Sequence, residues 1–392
     1  MRIGLVAGPW VPVPPPAYGG SEAVIDCLAR GLQARGHDVR LFTVGESTCP
    51  VDRGWWYESA VAGMGATLPE AAHVLAAYED LADREVIHDH TTLGPVFVAQ
   101  RARSGTVLVA TNHGPFTPET RRVYAAMPDS VALVAISRHH RATAPELPAT
   151  VIYHGVDLEC YSPGAGDGGY LLFVGRMSAD KGPERAIRIA RAAGRPLVLV
   201  AKSRDPMEQE HLEKVVKPLL GPDVTVVGEV ALAERVELFR HAEALVNPIC
   251  WPEPFGLVMP EALACGTPVL AFPNGAAPEI VDDGRTGFLR FDEDGLVRAA
   301  RRLGEIDRRD CRREVERRFS MQRMVADYEA LYARLLRRAA LRSGPAARSA
   351  AVAAGRARSR VRLSRCPGSA NTSAGVVVTV HARGPDHSNP LG

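Results

Sequence analysis

Two glutamates, Glu253 and Glu261, flank a seven-residue stretch (residues 254–260) inside the segment CWPEPFGLVMPEALACGTPVLAF. Pro260 lacks an N–H and is tolerated only in a first helical turn, and Gly266 is a natural helix stop. A helix is therefore expected to begin near Gly256 or Leu257, with Glu253 in the loop before it and Glu261 in its first two turns. Free backbone N–H groups at such a helix start attract an anion such as phosphate. Two carboxylates beside a phosphate site suit a ligand whose hydroxyls each can grip, and a nucleotide sugar carries them on both its ribose and its sugar. The residues alone also allow one helix-capping Glu and one solvated Glu.

Other candidates sit at the ends of apolar runs. Arg176 and Lys181, five apart in GRMSADKG, follow the run YLLFVGR. Two cations at a strand's carboxyl end can reach one diphosphate and stabilise charge building on a leaving nucleotide, although solvated surface charges carry the same pattern. Gly19 and Gly20, in AYGGSEAV, let the backbone approach a ligand closely at the start of a helix. They do not form G-x-G-x-x-G, which argues against a dinucleotide. His113 ends the run VLVATNH. His88 and His90, in VIHDHT, share one face of a strand, whereas Asp89 points the other way. Two histidines are too few ligands for zinc, so no metal centre is expected.

The 392 residues suit two or three domains, with 46% hydrophobic and 23% charged residues. A net charge of +2 gives no global argument for nucleic acid. Seven scattered cysteines without a C-x-x-C pair fit a reducing, cytoplasmic setting better than a disulfide framework. No apolar run reaches membrane-span length, and IGLVAGP is too short for a signal-peptide core.

Short Val/Ile/Leu runs alternate with amphipathic stretches, the pattern of α/β domains with buried parallel sheets. A first series runs from RIGLVAG through a helix over about residues 21–35 to TVIYHG, and a second restarts at YLLFVGR, with a helix over about 182–193. Between them, CYSPGAGDGGY reads as a linker. The expected domains are an N-terminal (1–160) and a C-terminal (161–320) Rossmann-like domain, facing across a cleft. A helix at 321–339 carries Met324, Tyr328, Leu331, Tyr332 and Leu335 at helical spacing. From 340 to 392 an Ala-, Arg-, Ser- and Gly-rich tail reads as disordered and dispensable for folding and activity. Its basic cluster could touch an anionic membrane surface, while VVVTVHA within it is strand-like.

EPFGLVMPEALACGTPV resembles the E-x7-E signature of retaining, family 4 glycosyltransferases of the GT-B fold, through Glu253, Pro254, Phe255, Gly256, Leu257, Glu261, Ala262, Ala264, Gly266, Pro268 and Val269. YGGSE resembles the family's N-terminal glycine loop, TNHG its histidine strand end, and FVGRMSADKG its Arg/Lys phosphate loop. GAAPEIVDDGRTGFL resembles the segment after the signature helix. PWVPVPPPAYGGSE and VKPLLGPDVTVVGEV look most like the branch containing an avilamycin-pathway glycosyltransferase. Pro260 departs from the aliphatic residue of many relatives.

The resemblance, which covers roughly residues 1–338, implies a metal-independent, retaining, hexosyltransferase-type enzyme of carbohydrate biosynthesis. Its first domain (1–160) would form the acceptor side, its second (161–320) would bind the nucleotide sugar, and its last helix would cross back onto the first domain. No cofactor is implied; a nucleotide diphosphate sugar is the co-substrate, and a carbohydrate, lipid or natural product is the acceptor. His113, Glu253, Arg176 and Lys181 would serve catalysis. Gly19, Gly20, Arg176, Lys181, Glu253, Phe255, Gly256, Leu257, Val258 and Glu261 would bind the donor, with Glu261 on ribose, Glu253 on the sugar and the two cations on the diphosphate. His88 and His90 would lie near the cleft. The alternatives are a sugar-nucleotide epimerase on the same fold, a glycogen-type phosphorylase, or an inactive sugar-nucleotide-binding protein. An epimerase needs acid/base carboxylates in the cleft. A phosphorylase needs a pyridoxal phosphate lysine and a much longer chain. The intact charged set argues against an inactive binder.

Overall fold

The β-α alternation forms two parallel sheets in a computed structural model describing residues 1–17, 19–97, 105–203 and 205–342. The first contains β1 (Arg2–Val6), β2 (Asp38–Thr43), β3 (Asp52–Trp55), β4 (Val86–Asp89), β5 (Val107–Thr111), β6 (Val131–Ala135) and β7 (Thr150–Val151), in the order β3-β2-β1-β4-β5-β6-β7. The second contains β8 (Leu171–Arg176), β9 (Leu197–Lys202), β10 (Val224–Gly228), β11 (Ala244–Asn247), β12 (Val269–Ala271) and β13 (Gly287–Leu289), in the order β10-β9-β8-β11-β12-β13. The paired strands run parallel, with Ile3 opposite Val86 and Leu172 opposite Leu245 at the two centres. Strand order reverses between β1 and β4 and again between β8 and β11. In doubly wound sheets the crevice beyond the strands' carboxyl ends at such a reversal receives ligands.

Apolar strands need covering on both faces, and helices supply it. Helix Gly20–Ala34 buries Val24, Ile25, Leu28 and Leu32 against the first sheet. In the second domain, helix Pro183–Ala193 buries Ala186, Ile187, Ile189 and Ala190 in a core with Phe173 and Leu199. Gly194 stops that helix at φ +69°, a conformation that favours glycine.

The last described helix, Met321–Arg342, runs slightly beyond its expected end and joins the first domain's core. Met324, Val325, Tyr328, Leu331 and Tyr332 pack there with Ile3, Leu5 and Leu28. The chain enters this helix beside its earlier passage between the domains. Val156 N–H donates to Phe319 O at 2.8 Å, and Met321 N–H donates to Val156 O at 2.9 Å. Gly31 lets the two helices approach, because a Cβ there would lie 2.4 Å from Val325 Cγ2. Gly31→Ala should therefore destabilise by about 1–3 kcal/mol through overpacking, and Val325→Ala should restore part of the loss. Thermal melts of the single and double variants check this; an unperturbed Gly31→Ala protein would contradict the packing.

The expected disordered tail and the VVVTVHA segment lie outside the described residues, apart from the helical turn at 340–342. No helix among the described residues is long and apolar enough to cross a membrane.

Candidate active site

A cavity of about 520 Å³ lies where loops from both sheets meet, and its walls come from the segments after β1, β5, β8 and β11. Gly19, Gly20, His113, Lys181, Glu253, Phe255, Gly256, Leu257, Val258 and Glu261 all line it. The glycine loop comes close to the signature loop: a Cβ on Gly20 would sit 3.3 Å from Leu257 Cδ1. Tyr18 lies outside the described residues.

Glu253 stands on a tight turn after β11. Its N–H donates to Trp251 O at 2.8 Å, and its own carbonyl accepts from Ala276 N–H at 3.0 Å. Gly275, at φ +59°, makes room, since a Cβ there would meet Glu253 O at 2.3 Å. The carboxylate pairs through Oε1 with the Lys181 ammonium, which also lies 5.5 Å from the centre of the Trp251 ring. Lys181 is only 7% exposed, so this ion pair is largely shielded from water. Glu253 Oε2 is buried without a hydrogen-bond partner among the described residues.

The signature helix spans Val258–Ala264, and its N-cap Leu257 makes no side-chain cap. Glu261 lies in the first turn and accepts from the Tyr161 hydroxyl at 2.8 Å, with Arg235 at 3.4 Å. Burial pushes the Tyr161 hydroxyl pKa well up, and the neighbouring Glu261 charge adds to it, so Tyr161 keeps its proton to donate. Neither carboxylate therefore follows the capping alternative.

Arg176, expected beside Lys181 on one diphosphate, is not among the cavity-lining residues. It ends β8 and turns to Asp180 at 3.0 Å and Glu208 at 3.4 Å. Carboxylates within reach of a half-exposed guanidinium pull it aside. His88 is also displaced from its expected place near the cleft. It is fully buried beneath the last described helix, with Nδ1 2.6 Å from the Tyr332 hydroxyl and Nε2 2.7 Å from Thr111 Oγ1. The crossing helix covers the strand position that a β-strand pattern alone would leave open.

His113 lies between two other histidines. Its Nε2 is 2.8 Å from His90 Nδ1 and its Nδ1 is 3.3 Å from His154 Nε2. His154 meets the Phe255 ring edge-on at 5.1 Å and so joins the row to the signature loop. Ser137 adds a tie between the domains by donating to Pro254 O at 2.6 Å. Glu279 accepts from the Arg138 and His139 N–H groups at 2.9 and 2.6 Å.

Tyr161, Arg235, Trp251 and His154 were not singled out from the sequence. Tyr161 lies within the Gly/Ser/Pro-rich linker, and Arg235 on a helix resembles any solvated cation. YHG at 153–155 repeats the His-Gly pairing of NHG at 112–114, and that cue could have flagged His154.

Burial holds six histidines neutral, lowering His113 to about 3, His73 and His140 to about 4, and His88, His90 and His154 well below the usual value. The unfolded chain protonates histidine near about 6.5. Below that pH it binds more protons than the folded chain, so stability falls as pH drops. Asp89, raised to about 7 by burial, acts oppositely: its contribution is lost as pH rises from the carboxylate range through that value. Six histidines outweigh Asp89 and Glu22, whose pKa burial also raises, and the melting temperature should fall between pH 7 and pH 5. A flat or rising melting temperature would contradict the neutral cluster.

Comparison with known proteins bears on the same segments. Residues 168–305 match the family model described as glycosyl transferases group 1, and residues 18–160 match glycosyltransferase family 4. The chain is 27% identical over 314 residues to an alpha-maltose-1-phosphate synthase of Mycolicibacterium smegmatis, covering 76% of this chain and 77% of that one. It is 31% identical over 154 residues to a D-inositol 3-phosphate glycosyltransferase of the same organism. That match covers 36% of this chain and spans about a third, 35%, of the relative's length. Among solved structures, AviGT4, a glycosyltransferase involved in avilamycin A biosynthesis, superposes with a TM-score of 0.66 at 28% identity, over 86% of this chain and 98% of that one.

Proposed function

The chain belongs to the family 4 glycosyltransferases of the GT-B fold, and on that premise we propose that it transfers a glycosyl group from a nucleotide diphosphate sugar to an acceptor hydroxyl, with retention at the anomeric carbon and without a metal. The observation that carries this reading is the convergence of Lys181 with Glu253 and Glu261, from two separate segments, on one cavity at a strand-order reversal. Lys181 meets the diphosphate and stabilises the charge that develops as the sugar departs. Arg176 reaches the same group by leaving Asp180 and Glu208. Glu261 holds ribose hydroxyls, and Glu253 holds the sugar that becomes cation-like. The backbone from Phe255 to Val258 and the Gly19-Gly20 loop close around the donor. His113, neutral and fixed by two neighbours, shapes the sugar end without acting as a charged group.

In this scheme the acceptor hydroxyl attacks from the face that the leaving phosphate vacates. The bond from anomeric carbon to phosphate oxygen breaks, the bond to the acceptor oxygen forms, and the leaving phosphate takes the acceptor proton. Catalysis is then mainly positioning and electrostatics. The relatives bear the names of a D-inositol 3-phosphate glycosyltransferase, an alpha-maltose-1-phosphate synthase and a glycosyltransferase involved in avilamycin A biosynthesis. They support a carbohydrate or natural-product acceptor; a lipid acceptor at a membrane surface is the other option.

Donor binding tests the site directly. A nucleotide that binds only the folded protein raises its melting temperature. Glu261→Ala should weaken nucleoside diphosphate binding by about 1.5–3 kcal/mol, the value of charged hydrogen bonds, with turnover at saturation little changed. Unchanged affinity would remove Glu261 from the ribose.

A further inference from the structure

The turn at residues 251–253 holds a second unsatisfied group beside Glu253. Trp251 Nε1, an obligatory donor, is buried without a hydrogen-bond partner among the described residues, as is Glu253 Oε2, an acceptor. Trp251 and Glu253 are two residues apart and are drawn together by the Glu253 N–H bond to Trp251 O at 2.8 Å. Both line the cavity. Both also surround the same ammonium: Lys181 pairs with Glu253 Oε1 and lies over the Trp251 ring. Buried polar groups are almost always paired, so a donor and an acceptor left open on one turn of a cavity wall call for an explanation. A phosphate answers only half of this set. A phosphate would pair with the indole N–H but be repelled by the carboxylate. A sugar hydroxyl answers both: it donates to Glu253 Oε2 while its oxygen accepts from Trp251 Nε1–H.

We propose that Trp251 is a specificity-determining residue of the sugar subsite, and that with Glu253 it selects donor sugars carrying a hydroxyl at that position over the matching deoxy sugars. This rests on the donor-site reading above. The selection follows from asymmetry: a sugar lacking that hydroxyl leaves the indole N–H buried and unpaired in the complex.

Trp251→Phe removes the N–H while keeping an aromatic face over Lys181. The probes are a panel of nucleoside diphosphates, their glucose, galactose and mannose conjugates, and the matching monodeoxy-sugar conjugates. For the hydroxylated donor that the wild type prefers, the variant's KM should rise roughly three- to tenfold, the worth of one neutral hydrogen bond. Its affinity for the free nucleoside diphosphate should stay within about twofold of wild type, since the diphosphate lies on Lys181. At least one monodeoxy donor should be used equally by variant and wild type. Wild-type KM values for every hydroxylated donor, with Glu253→Gln impaired, would overturn the role of Trp251 and leave the donor site standing. An equal loss for the free diphosphate would make Trp251 a packing residue. If no conjugate or diphosphate raised the wild-type melting temperature, the donor site itself would fall, and this inference with it.

Discussion

Glu253→Ala should lower turnover by about ten- to hundredfold, and lower it more than it weakens donor binding. Glu253 is expected to hold the sugar as it becomes cation-like, so its charge contributes most in the transition state. The isosteric Glu253→Gln keeps the shape and should still cost turnover. The ion pair adds a second expectation. In the free protein Lys181 is 7% exposed and paired with this carboxylate. Removing one partner of a buried pair leaves an uncompensated charge, which costs on the order of 3–5 kcal/mol. A nucleoside diphosphate supplies the missing anion, so it should raise the melting temperature of Glu253→Ala by more than it raises that of the wild type. Near-normal turnover of Glu253→Ala would end the assignment of this motif to the donor. An equal thermal response would place the diphosphate away from Lys181.

Truncation after Phe319 should leave the protein insoluble or inactive. The lost helix follows the second domain in sequence but fills the core of the first. Tyr328 and Tyr332 are 1% and 0% exposed, and their hydroxyls sit against Thr111 and His88. Deleting one such aromatic costs about 3–5 kcal/mol. A domain's whole margin is only about 5–15 kcal/mol, so loss of the full apolar face exceeds what the first domain can absorb. Tyr332→Ala is the graded version and should be soluble but clearly destabilised. Solubility and activity assays on the truncation decide the matter; a well-folded, active product would show that this helix is dispensable.

Much of this was legible because continuous apolar runs and their helical partners are local signals. The runs at 2–6 and 171–176 are buried strands at the centres of the two sheets, and Pro260 and Gly266 delimit the helix carrying Glu261. The E-x7-E segment was legible because one loop and one helix carry both carboxylates. What was not legible depends on partners distant in sequence. Arg176 turns toward Asp180 and Glu208, and the second of these lies 32 residues away. His88 is covered by Tyr332, 244 residues on. Tyr161 reaches Glu261 across 100 residues. A strand pattern reports which face a side chain takes but not which element arrives to cover it.

The most direct measurement follows the donor bond itself. Wild type and Glu253→Gln are incubated with a panel of nucleotide diphosphate sugars. Nucleoside diphosphate release is timed, and the anomeric configuration of the freed or transferred sugar is read by proton NMR before it mutarotates. Retaining transfer predicts that the wild type cleaves at least one α-linked donor between the anomeric carbon and the phosphate, with the α anomer appearing first and Glu253→Gln markedly slower. First appearance of the β anomer would contradict retention. Cleavage at equal rates by both proteins, or of no donor at all, would contradict a donor site built on Glu253 and Lys181.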